Sequence, residues 1–119
     1  MKDWNTKKER YLQDDLPKRL GNLAVNLARI ESLSNNSVNG DLVKSLVEES
    51  KFFIEWVATD IDLDKAADLI EFQIQLAKWQ LTWAEVWANP TERRNVAKQA
   101  HNWSERLLDI SGLISGAVS

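Results

Sequence analysis

The chain of 119 residues contains no cysteine, one histidine, two prolines and four glycines. The missing cysteines exclude a disulfide framework, a thiolate metal site, an iron–sulfur cluster and a cysteine nucleophile. A single histidine excludes any centre that needs two imidazoles. An excess of one charge is missing too: fifteen basic residues stand against eighteen acidic ones, mixed along the whole chain. No segment is a basic block, so the electrostatic footprint of a duplex-binding protein is absent and nucleic acid is not an expected partner. No run approaches the ~20 apolar residues of a membrane-spanning helix, so no membrane association is expected. Residues 1–5 carry no apolar stretch of a secretory signal, which makes the cytoplasm the expected location.

What is present is helical periodicity, almost from end to end. The breakers Pro17, Pro90, Gly40, Gly112 and Gly116 sit near the ends of periodic segments, and only Gly21 lies inside one. Residues 4–13 read as a short first helix with Trp4 and Tyr11 on one face. Asp15 caps the next helix, whose first turn tolerates Pro17 because the missing N–H has no partner there anyway. That helix runs to about Ser34 with Leu16, Leu20, Leu23, Leu27 and Ile30 on one stripe. Residues 35–40 form a polar connection. The segment 41–58 places Val43, Leu46, Val47, Ser50, Phe53, Ile54 and Val57 on one face, flanked by Phe52 and Trp56. The segment 62–88 is read as one helix, capped by Thr59, Asp60 or Asp62. After Asn89 and Pro90 break the chain, Thr91 is the expected cap of a last helix. Its stripe is Val96, Ala100, Trp103, Leu107, Ile110 and Ile114, and the small, uncharged residues from Gly112 onward should fray.

No alternating strand pattern competes. Four long amphipathic segments joined by short connections predict an all-α fold. The expected architecture is an antiparallel up-and-down four-helix bundle with a short N-terminal helical extension, with residues 1–119 in a single domain.

Six tryptophans, beside three phenylalanines and one tyrosine, are the compositional oddity. The helix 62–88 carries two apolar ridges. One is Leu69, Phe72, Leu76, Trp79, Trp83 and Trp87; the other is Ile70, Ile74, Ala77, Leu81, Ala84 and Ala88. So wide an apolar arc needs several neighbours or a second subunit. Phe52, Trp56, Phe72, Trp79, Trp83 and Trp87 are therefore the candidate interface residues. The spacing of Trp79, Trp83 and Trp87 also suits a stacking platform for a flat or apolar ligand, although aromatics at helical spacing are more often core.

Two short patterns bear on chemistry. The run from Asp60 to Glu71 resembles an EF-hand calcium loop, with acids at its first, third, fifth, ninth and twelfth positions. It departs from that family where Lys65 replaces the turn-forming glycine and Ala67 the branched apolar residue. Asp62 and Asp64 at the positive end of a helix explain the same acids without metal, and no metal or other cofactor is implied. The run from Arg94 to His101 resembles the Arg-x(4–6)-His signature of HEPN ribonucleases, small helical proteins that dimerise. The resemblance covers these eight residues. It implies metal-independent RNA cleavage in which Arg94 stabilises developing phosphorane charge and His101 moves a proton. No phosphate-binding glycine loop or nucleophile elbow accompanies it. The leading expectation is a non-enzymatic protein-interaction module or homodimer; the alternatives are the Arg94–His101 nuclease and a ligand site on the tryptophan ridge.

Overall fold

A computed structural model describes the backbone of residues 3–115 and the side chains of residues 3–112. These residues form six α-helices: α1 (Trp4–Gln13), α2 (Leu16–Leu33), α3 (Gly40–Ala58), α4 (Leu63–Leu81), α5 (Trp83–Ala88) and α6 (Pro90–Ser115). A 3-10 turn at Ser37–Asn39 joins α2 to α3. No helix among the described residues is long and apolar enough to cross a membrane.

The helix ends follow from local chemistry. Asp3 accepts the Thr6 backbone N–H at 3.1 Å to start α1, and Asp15 accepts that of Lys18 at 3.0 Å to start α2. The cap of α6 differs from the expected Thr91. Asn89 Oδ1 accepts the N–H groups of both Thr91 and Glu92, at 2.9 and 3.3 Å. Pro90 thereby takes the first helical position, where its fixed φ suits the helix. Asp62 stands at the cap of α4 without a capping bond, and its carboxylate turns to Lys65 at 3.2 Å instead.

The apolar stripes of α2, α3 and α6 face the core. Leu20, Leu23, Leu27 and Ile30 of α2 lie wholly inside, as do Val43, Val47, Ile54 and Val57 of α3 and Val96, Ala100 and Leu107 of α6. Trp103 is half-buried. The side chain of Ile114 and the residues beyond Ser115 lie outside the described part of the structure. Helix α2 packs along α6 on one side and α3 on the other, and α3 carries α4. The molecule is 21 Å thick in its thinnest direction. That is about two helix diameters, so each long helix keeps one side toward solvent.

Large side chains join α4 to α6. Phe72 stacks on Trp103 at 4.9 Å between ring centroids, and Trp79 meets Phe72 edge-on at 6.3 Å. The Arg106 guanidinium lies over the Trp103 ring at 4.6 Å and pairs with Asp68 of α4. Helix α1 is seated by a second aromatic cluster. Trp4 packs on Phe52 at 4.4 Å, and Tyr11 stacks on Phe53 at 4.1 Å with planes 7° apart. The Tyr11 hydroxyl donates to the Arg19 carbonyl at 2.7 Å, and burial pushes its pKa upward.

The segment expected as one helix over 62–88 is divided at Thr82, whose φ of −119° and ψ of 32° leave the helix. The division lets two indoles reach the α2–α3 connection. Trp83 Nε1 donates to the Gly40 carbonyl at 3.1 Å, and Trp87 Nε1 to the Ser37 carbonyl at 2.7 Å. The two rings stack at 5.3 Å. These bonds satisfy carbonyls at a helix start and its approach, and they fasten α5 to the α2–α3 connection.

Gly40 itself has ordinary helical dihedrals, so its lack of a Cβ matters for space. A Cβ there would stand 2.8 Å from Trp87 Nε1. Gly40→Ala should therefore destabilise the protein by about 1–3 kcal/mol through overpacking, measured by urea unfolding. In a Trp87→Leu background the same change should become neutral or stabilising, because alanine is the better helix former. A loss of equal size in both backgrounds would contradict the close approach. Ser50 offers the opposite sign. Its fully buried hydroxyl is the one buried side-chain polar atom without a hydrogen bond among the described residues. Ser50→Ala should raise stability by about 0.5–1 kcal/mol, and a measured loss would contradict an orphaned hydroxyl.

Candidate functional site

The six aromatic candidates do not share one surface. Phe72 is 2% exposed, Trp79 3%, Trp83 7% and Trp56 8%. Phe52 is partly buried beneath Trp4, so the wide arc at the end of α3 is the seat of α1. Trp87 is partly buried, bonded to Ser37 and flanked by Arg93, whose guanidinium lies 5.7 Å from its ring centroid. The tryptophan ridge of α4 and α5 thus points inward, and its rings stack on protein rings. Sequence periodicity found the ridge but not its direction.

The companion ridge is the one left outside. Ile70 and Ile74 are 43% and 52% exposed, and Leu81 is 86% exposed. Ala77 is partly exposed, and Ala84 and Ala88 on α5 are exposed. The stripe extends toward the start of α4 through Ala67, also exposed, to Leu63, 84% exposed. Leu63, Ala67, Ile70, Ile74, Ala77 and Leu81 follow one another at steps of four, three, four, three and four residues. That is the spacing of a coiled-coil seam. The earlier part of this stripe, Leu63 and Ala67, is what sequence reading missed; their regular spacing with Ile70 was the available signal. On one flank stand Asp64, Glu71 and Lys78, all exposed. On the other flank the side chains turn toward α3: Gln73 Nε2 donates to the Lys51 carbonyl at 2.9 Å, and Gln80 Oε1 accepts from Lys51 Nζ at 2.8 Å.

Three of the five acids in the run resembling a calcium loop pair with separate cations. Asp60 takes Arg19 at 2.8 Å, Asp62 takes Lys65, and Asp68 takes Arg106. Open clefts of about 430 and 400 Å³ border Thr59 and Asp60. Asp60 lines both, and its carboxylate is paired with Arg19.

Arg94 and His101 lie on α6, separated along its axis by about 10 Å at the rise of an α-helix. Arg94 is exposed and donates to the Thr91 hydroxyl at 3.4 Å. The His101 ring lies between two carboxylates: Nδ1 is 3.0 Å from Glu31 of α2, and Nε2 is 3.3 Å from Glu105. The hydrogen bond that His101 donates to Glu31, reinforced by the charges of Glu31 and Glu105, raises the His101 pKa above its ordinary value. This pairing favours the imidazolium and fastens α6 to α2.

Comparison of the chain with protein-family models, with curated proteins and with solved structures gave no match.

A raised pKa means that the His101 pairing stabilises the fold fully below the ordinary histidine pKa of about 6.5. The contribution is lost as pH rises through the folded-state value. Unfolding of wild type and His101→Gln should thus differ in mildly acidic buffer and converge in alkaline buffer. A difference that stays constant or grows with pH would contradict the carboxylate pairing.

Proposed function

We propose that this protein is a non-enzymatic interaction module that binds another polypeptide through the outer face of α4. The observation that carries this reading is the unbroken apolar seam from Leu63 to Leu81 on a helix whose opposite face already fills the core. Single exposed apolar residues are normal on a protein surface, but a contiguous apolar stripe with a charged border marks an association surface. The seam follows helix geometry, so the natural complement is another helix laid along it.

The four long helices α2, α3, α4 and α6 are read as an antiparallel up-and-down bundle. Short connections support this, because residues 34–39 and 59–62 are long enough to reverse direction between packed neighbours and little more. In such a bundle α2 and α3 hold the core together, α1 covers the aromatic end of α3, and α4 presents its seam.

A photo-cross-linking amino acid placed at Ile74 tests the reading in the native cell. It should give one discrete cross-linked product, and that product should vanish when Ile70→Glu is added. The same probe at Val25 or Leu108, exposed apolar positions on α2 and α6, should not give that product. Equal labelling from all three positions would contradict a dedicated face on α4.

A further inference from the structure

We infer that the occupant of the α4 seam is a second copy of this chain, laid antiparallel about a twofold axis at the level of residue 72. The inference rests on the reading of α4 as the interaction face and adds the partner and its register.

The order of side chains along the seam is the reason. Leu63, Ala67, Ile70, Ile74, Ala77 and Leu81 read the same in both directions about residue 72. A twofold interface is self-complementary: what one protomer presents at one end meets what the other presents at its opposite end. Reversing a copy of α4 about residue 72 sets Leu63 against the partner's Leu81, Ala67 against the partner's Ala77, and Ile70 against the partner's Ile74. Each layer then pairs residues of equal size. The two alanine layers let the helix axes approach closely, and the isoleucine layers fill the centre. A parallel copy in register would match sizes too, so the hydrophobic layers alone do not decide direction.

The charged border decides it. In an antiparallel helix pair the same flank of each helix faces its counterpart, with residue numbers running oppositely. Asp64 then lies beside the partner's Lys78, and Lys78 beside the partner's Asp64. Both residues are exposed and neither has an ion pair among the described residues. A parallel copy would leave Asp64, Glu71 and Lys78 without this complement. Glu71 is the residue nearest the axis, and the antiparallel pairing sets it near its own symmetry mate. That like-charge approach keeps the dimer weak. A single 19-residue helix on each side also makes a contact below the standard interface size, so association is expected at micromolar concentrations.

The test uses the purified full chain in sedimentation equilibrium at low salt, with helicity checked by circular dichroism. Wild type should dimerise reversibly. Asp64→Lys alone and Lys78→Glu alone should each weaken self-association about tenfold, since two attractive pairs per dimer become repulsive. Mixing these two variants in equal amounts should restore association, because each mixed dimer regains both opposite-charge pairs. Glu71→Gln should tighten the dimer severalfold.

A wild type that stays monomeric up to its solubility limit would overturn the second copy as occupant. A discrete Ile74 cross-link of other mass would then leave the interaction reading standing, whereas absence of any specific Ile74 product would remove both. Dimers that ignore the charge changes, or variants whose mixture fails to recover, would overturn the antiparallel register.

Discussion

The stacking of Phe72 on Trp103 sets the rotation of α4, and the character of the protein's surface follows from it. A helix has one core-facing side and α4 carries two apolar ridges, so one of them must face outward. The aromatic ridge has the volume to span the gap between α4 and α6, which the Phe72–Trp103 stack and the edge-on Trp79 fill. Aromatic pairs of this kind contribute about 0.5–1.5 kcal/mol beyond their buried area. The aliphatic ridge, lying across the helix from that core, is left to solvent. Arg106 reinforces the same rotation from the rim by covering Trp103 and pairing with Asp68.

The tryptophans divide into three structural tasks. Trp79 and Trp103 close the space between α4 and α6. Trp4 and Trp56, with Tyr11, Phe52 and Phe53, seat α1 on the end of α3. Trp83 and Trp87 break away from α4 and fasten the α2–α3 connection through their indole N–H groups. In each case a large ring joins elements that are remote in sequence, which suits a chain without cysteine. Polar links reinforce these seams: Arg19 ties α2 to Asp60 in the α3–α4 connection, and His101 ties α6 to Glu31 of α2.

Much of this was legible in the sequence wherever one periodic stripe had one possible partner. The stripes of α2, α3 and α6 and the Asp15 cap follow from spacing and side-chain chemistry alone. The shared face of Trp4 and Tyr11 was legible, whereas its seat on α3 was not. The break at Thr82 was not legible, because residues 79–86 have unbroken helical periodicity and the indole hydrogen bonds that accompany it run to carbonyls more than forty positions away. The choice between the two ridges of α4 was equally hidden. Both have helical spacing, and only the aromatic volume supplied by Trp103 distinguishes them. Asn89 as the α6 cap is readable from Pro90, which favours the first helical position; Thr91 competes with it because it too is a capping residue.

The proposed pairing of the outer face of α4 with its own image is open to a direct distance measurement. Because the chain has no cysteine, a single introduced cysteine carries one spin label per protomer, and electron paramagnetic resonance then reads one distance per variant. Glu71→Cys lies beside the proposed axis and Thr82→Cys lies ten residues from its level. An antiparallel pairing centred on residue 72 predicts close, dipolar-broadened labels for Glu71→Cys and a separation of roughly 30 Å for Thr82→Cys, from the helical rise per residue. Equal short distances at both positions would indicate a parallel pair, and no dipolar coupling at either position would contradict pairing through this face.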